Sequence, residues 1–348
     1  MIIVLISILI SACSSVGSPA PTEIEIEIGP PEPTGDFTPM PTNTLRSTPT
    51  ATPIPTETPP PTVEPSPTNT LDPYNTHIVA GVEFLSKEDF DSAVTEFTEA
   101  IRIDTTNPLG YLYRGRAYAT NERFDDALQE FNIAINYDPN YAEAYNARGA
   151  IYAQKQQYSQ AMKDFTKAIE LNPNLTPAYS NRATTYMSQK EYELGLQDFS
   201  KAVELSPDDP ETYFNRGQAY LVIAENMGEE AYADYCIADF NQAIAFLPEV
   251  SDFFLNRALC FLYKTDLKNG YNDLTQAIAL DKENVRAYVY RASLFPDFEE
   301  LTMEQALEDA RMALELAEDD ELKKLAQQML NEIPKITPQP YPSPQPTP

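Results

Sequence analysis

From Tyr74 onward, apolar side chains recur at the three- and four-residue steps of a helix face, in two pulses separated by a few polar residues. YNARGAIY (145–152) carries the first pulse: Tyr145, Gly149 and Tyr152 share one face. Ala161, Phe165 and Ala168 carry the second, which stops before Pro173, a residue that cannot continue a helix. The two pulses predict two antiparallel helices joined by a tight turn. The same pair returns along the chain, as YLYRGRAY (111–118), YSNRATTY (179–186), YFNRGQAY (213–220), FLNRALCF (254–261) and YVYRASLF (288–295).

The spacing is regular. Arg114, Arg148, Arg182 and Arg216 stand 34 residues apart, and so do Pro139, Pro173 and Pro207. With Tyr111, Gly115, Tyr118, Ala127, Phe131, Ala134 and Pro139 as its marker residues, the segment from Pro108 resembles a tetratricopeptide repeat. The segment from Ala142 matches at the equivalent positions, and the resemblance covers nearly all of residues 74–333. It implies an all-α fold, a right-handed α-solenoid of about seven repeats. These lie near 74–107, 108–141, 142–175, 176–209, 210–250, 251–284 and 285–318, with a polar-faced capping helix at 319–333. The packing logic stands apart from the name. Small residues at repeat positions 8 and 20 let two helices approach, and aromatics at 11 and 24 fill the space around that contact. Departures fall on His77 and Thr105 in the first repeat and on about seven extra residues near ENMGEEAY in the fifth. The sixth has Gly270 and Leu274 at positions 20 and 24, and the seventh has Pro296 just past its first helix and Ala310 in place of Phe.

One polar residue breaks the apolar face in six repeats. Arg114, Arg148, Arg182, Arg216, Arg257 and Arg291 occupy repeat position 7, while position 23 is acidic throughout, as Glu96, Glu130, Asp164, Asp198, Asp239, Asp273 and Asp309. This pattern predicts a ladder of structural ion pairs, formed either within a repeat or from one repeat to the next.

The flanks differ in kind. Residues 1–12, MIIVLISILISA, form an apolar run too short to span a bilayer. With Ile10, Ser11, Ala12 and Cys13 it resembles the lipobox of bacterial lipoprotein signal peptides, although no Lys or Arg precedes the run. The resemblance implies cleavage before Cys13, lipidation of that residue, and a domain held at the cell membrane outside the cytoplasm. Residues 13–73 are rich in Pro, Thr, Ser and Glu and read as a disordered stalk; residues 334–348 read as a disordered Pro-rich tail.

Charge narrows the partners. The chain carries 53 acids against 24 Lys and Arg, a net of −29, which argues against nucleic acid and against adhesion to anionic lipid. The surface is either simply well solvated or matched to a basic partner. Catalytic chemistry is sparse: His77 is the single histidine, no Gly-rich phosphate loop occurs, and neither a metal site nor a cofactor is expected. A hydrolase using paired carboxylates is the least favoured reading. Cys236 and Cys260 fall on successive helices of the stack, where they form a disulfide or serve as small buried residues.

The remaining candidate is a groove lined by the first helices of the repeats, taking a protein or peptide partner. Its expected lining is Asn146, Asn181, Thr184, Phe214, Asn215, Gln218, Leu255, Asn256, Leu259 and Leu262, polar in the middle and apolar near repeats five and six. The apolar part is open to two readings, an exposed patch or internal packing. A carboxylate-binding mode known in the family places lysine where this chain has Glu143, Glu211 and Asp252, so that mode is not matched. The competing function is a self-associating surface protein or spacer.

Overall fold

The computed structural model describes residues 72–336. The signal peptide, Cys13, the stalk and the tail beyond Ile336 lie outside the described residues. Fifteen α-helices occur among those described: α1 (Pro73–Leu85), α2 (Phe90–Ile103), α3 (Pro108–Thr120), α4 (Phe124–Tyr137), α5 (Ala142–Gln154), α6 (Tyr158–Leu171), α7 (Thr176–Ser188) and α8 (Tyr192–Leu205). There follow α9 (Pro210–Met227), α10 (Glu230–Phe246), α11 (Ser251–Tyr263), α12 (Leu267–Leu280), α13 (Val285–Ser293), α14 (Met303–Leu316) and α15 (Asp320–Glu332). Each odd-numbered helix up to α13 packs on the next to form a hairpin, and the seven hairpins stack into an α-solenoid that α15 closes.

Local chemistry sets the ends. Proline opens α1, α3 and α9, where its missing N–H costs nothing. The side chains of Asn107 and Asp209 accept hydrogen bonds from the Leu109 and Glu211 amides as N-caps. Within the hairpins, Glu88, Glu122, Gln156, Lys190 and Thr265 turn the chain at φ between 55 and 64°. The sequence supplies glycine for this left-handed position only in the fifth hairpin, at Gly228.

Packing inside a hairpin depends on absent side chains. A Cβ on Gly149 would lie 2.8 Å from the Phe165 ring, and one on Gly115 would lie 2.5 Å from Phe131. Neither ring could stay in place beside an alanine. The rings of Phe97, Phe131, Phe165 and Phe240 are accordingly buried at the centres of their hairpins.

Two hairpins depart from the rule. In the fifth, α9 has 18 residues and α10 has 17, against 13 and 14 in α5 and α6, so both helices absorb the extra residues and the turn does not. In the seventh, α13 stops after nine residues, and the connection to α14 buries Leu294, Phe295, Phe298 and Leu301. The Phe298 ring packs 4.8 Å from that of Tyr271 in α12. Capping follows the usual chemistry, with the Asp319 side chain accepting from the amides of Glu321 and Leu322 at the start of α15.

Candidate binding groove

The first helices run down one side of the stack. From α1 to α11 each touches the next first helix, and the second helices make no comparable contacts with one another. Closer spacing on that side curves the stack and makes the first-helix side its concave face.

The arginines are held behind that face. Arg148 donates from Nε to Asp164 Oδ2 at 2.7 Å and from Nη2 to Oδ1 at 2.8 Å, a two-pronged bond within one hairpin. Arg182 meets Asp198, Arg216 meets Asp239, Arg257 meets Asp273 and Arg291 meets Asp309 in the same way. Arg114 places Nη2 at 2.9 Å from both oxygens of Glu130. The remaining nitrogen, Nη1, reaches back one hairpin, from Arg148 to Asn132 at 2.6 Å and from Arg257 to Asn241 at 2.7 Å. Thr98, Thr166 and Thr275 receive Arg114, Arg182 and Arg291 likewise. The ion pair thus lies within a hairpin, and in five of the six arginine rungs a neutral hydrogen bond ties it to its predecessor. These position-25 acceptors escaped the sequence reading, although a polar side chain recurs there with the same period. In the first hairpin, His77 Nδ1 stands 2.7 Å from Glu96 Oε2 and takes the arginine's place.

Burial makes this ladder structural. The arginine side chains are 17–19% exposed and their acids 6–11%. Burial pushes the carboxyls of Glu130, Asp239 and Asp309 above the ordinary carboxylate range, and the arginine hydrogen bonds oppose that push.

Along the concave face the expected lining divides. Asn181 in α7 donates to Asn146 Oδ1 in α5 at 3.0 Å, and Gln218 in α9 to Asn256 Oδ1 in α11 at 3.4 Å, so amide side chains bridge neighbouring first helices. Thr184 is exposed and Asn215 half-buried. Phe214 is half-buried against Phe253, with ring centroids 5.3 Å apart. Glu211 is exposed as a residue, yet partial desolvation and the Asp209 charge raise its pKa while Asn215 opposes them with a hydrogen bond.

The apolar end of the groove is corrected. Leu255 is fully buried, Leu259 and Leu262 are 3% exposed, and Asn256 is 4% exposed with its amide also donating to the Asp252 carbonyl. Position 12 points at position 20 of its own hairpin: Leu262 fills the space that a Cβ on Gly270 would need, as Met187 does over Gly195. Leu255 and Leu259 join a core shared with Leu221 of α9 and Val289 of α13. Apart from the half-buried Phe214, the accessible part of the stripe is therefore polar.

Cys236 and Cys260 form a disulfide joining α10 to α11, with their Cα atoms 6.2 Å apart. No cluster of residues able to hold a metal ion occurs among the described residues, and no described helix is long and apolar enough to cross a membrane.

Comparison with known proteins agrees with this architecture. Models of the tetratricopeptide repeat match residues 142–175 and 79–134, and a TPR-repeat model matches 115–156 and 183–221. A tetratricopeptide repeat protein from Parabacteroides merdae superposes with a TM-score of 0.53 at 20% identity, covering 74% of this chain and 99% of that one. A chain of the APC/C hetero-tetramer Cut9–Hcn1 gives 0.55 at 14% identity, covering 74% and 46%. PilW, a type IV pilus biogenesis factor, gives 0.52 at 18% identity, covering 61% and 94%. These likenesses show the fold. No curated protein matches the sequence.

Proposed function

The hairpins are tetratricopeptide repeats, a scaffold suited to protein–protein interaction, and from that premise we propose a membrane-anchored adaptor working outside the cytoplasm. Its concave face holds a protein or peptide segment. One observation carries this reading: the inner face of α5, α7 and α9 presents Asn146, Asn181, Thr184, Asn215 and Gln218, exposed or half-buried, with none of the described elements covering Thr184. Amides and hydroxyls in a row can pair with the N–H and C=O groups of an extended backbone, since they both donate and accept.

Charge selects among partners. Residues 72–336 hold 46 acids and 23 Lys and Arg, a net of −23, and Glu143, Glu211 and Asp252 flank the polar row. A segment bearing Lys or Arg gains by complementarity, chiefly in encounter rate and in rejecting acidic competitors.

Two features support the location. The apolar run before Cys13 has the form of a lipoprotein signal, and lipid on that cysteine would tether the domain through residues 14–71. The Cys236–Cys260 disulfide suits an oxidising compartment.

The test is crosslinking of the full chain in cells, followed by capture, beside a Glu211→Lys, Asp252→Lys variant. Both positions are exposed, so the variant should fold normally. A partner captured by the parent and lost from the variant supports the groove. A partner retained equally by both refutes it.

A further inference from the structure

The fifth hairpin builds a surface that the others lack. Tyr220 of α9 and Tyr232 and Tyr235 of α10 gather with ring centroids 5.3 to 6.4 Å apart. Tyr220 holds the ordinary packing position, and the two others come from the first turns of the lengthened α10. Tyr235 is 56% exposed, more than any other large hydrophobic residue among those described, and Met227 nearby in the chain is 44% exposed. The Arg216 guanidinium, fixed by Asp239, lies 5.9 Å from the Tyr220 ring centre and helps to hold that ring. The result is an open aromatic platform beside the exposed acids Glu229, Glu230 and Asp234, the last paired with Lys264.

Two proline-rich segments of this chain lie outside the structure, and charge tells them apart. Residues 13–71 carry seven acids and one base, so most of the segment is repelled by the acidic surroundings of the platform. Its longest acid-free stretch, 37–56, is separated from the first hairpin by residues 57–72, and four hairpin layers lie between that hairpin and the platform. Residues 337–348, TPQPYPSPQPTP, carry six prolines and no charge. Proline fixes its own φ and drives the residue before it toward extended geometry, so alternating prolines favour a polyproline II helix. Such a helix docks in aromatic-lined grooves at small entropic cost.

Reach agrees. Ile336, where the described chain ends, packs against the far end of the continuous core that extends back to Leu221 of the fifth hairpin. Twelve residues at ~3.1 Å each span about 37 Å, whereas two hairpin layers at ~10 Å each separate the seventh hairpin from the fifth.

We propose that the distal part of residues 337–348 docks as an extended segment on the Tyr220–Tyr232–Tyr235 platform of its own chain, the proximal part spanning the two hairpins between. The docked segment would occupy the edge of the fifth hairpin and leave the concave face to its partner.

The chain contains no tryptophan, so Gln345→Trp installs a single fluorescent reporter in the distal part of the segment, nine residues past Ile336 and so within reach of the platform. Acrylamide quenching of that reporter in the full chain is compared with quenching in a synthetic peptide of residues 337–348 bearing the same change. Docking predicts quenching several-fold weaker in the full chain. Adding Tyr232→Ser and Tyr235→Ser should return it to the peptide's value, while Tyr232→Phe and Tyr235→Phe should keep the protection. A far-ultraviolet melt of each variant confirms that the stack stays folded. The proposal is overturned by peptide-like quenching in the full chain, or by protection that survives the serine changes. Protection that disappears on dilution would also overturn it, since the segment would then sit on a second copy.

Discussion

Hairpins two to four and hairpins five to seven share the arginine ladder but bury their apolar surface differently. In the earlier group each core stays small: one cluster surrounds Phe131 and another surrounds Phe199, each with a few neighbours. In the later group one continuous core runs from Leu221 to Ile333 and takes in Leu255, Leu259, Val289, Phe298 and Met329. The period is the same in both, so the difference comes from departures from it. The lengthened α9 and α10, the disulfide, and the apolar connection after α13 add contacts between hairpins. The regular group keeps a polar concave face that runs on to Asn215 and Gln218 of α9, and beyond α9 the same stripe is core.

The largest expected effect tests the shared element. Arg182→Ala leaves Asp198, only 7% exposed, without its charge partner and should cost about 3–5 kcal/mol in thermal or denaturant unfolding. Because the pair is confined to one hairpin, Arg216→Ala in the irregular group should cost the same within about 1 kcal/mol. A much smaller loss at Arg216 would mean that the merged core, not the ladder, holds that half.

Removing the disulfide probes the irregular group alone. The bridge closes a separation of 24 residues, and Cys236→Ala with Cys260→Ala should lower stability by about 3 kcal/mol in the chain-entropy account. Hydrogen exchange should locate the loss in α9 to α14, with α3 to α8 unchanged.

A third prediction concerns the extra turn of α9. Burial pushes Glu225 from the ordinary 4.5 up to about 7, and its Oε1 has no hydrogen-bond partner among the described residues. Between those two values the native chain holds a proton that the unfolded chain has released. Stability should therefore fall as pH rises through that window, by roughly 2–3 kcal/mol. Glu225→Gln should remove that part of the pH dependence and stabilise the protein at pH 7.5. An unchanged slope would show that the carboxyl is solvated.

The smallest effect lies in a turn. Thr265 is β-branched and sits at φ 58°, a conformation that strains it, so Thr265→Gly should stabilise by up to about 1 kcal/mol. The same change at Gln156, which is not branched, should do less.

The regular group was legible in sequence because each structural requirement there recurs every 34 residues. Gly149 above Phe165 is read from spacing alone, and so is a ladder of arginines and acids. Spacing left open whether Arg148 meets the acid of its own hairpin, Asp164, or that of a neighbour. The apolar end of the groove was not legible. Leu255 and Leu259 carry no mark distinguishing a leucine that faces solvent from one that meets Leu221 and Val289, since that depends on how neighbouring hairpins close. The five residues in left-handed turns were equally silent, because Glu, Gln, Lys and Thr do not announce that geometry as glycine does. The tyrosine platform arises from an insertion, which a repeat pattern registers only as a gap.

The polar concave face of the regular group is the central functional claim, and a photo-reactive side chain tests it most directly. Placed at Thr184 on α7, it should crosslink a cellular partner; placed at Gln197, exposed on the second helix α8, it should not. Capture from Gln197 without capture from Thr184 would move the binding surface to the other side of the solenoid and contradict the account.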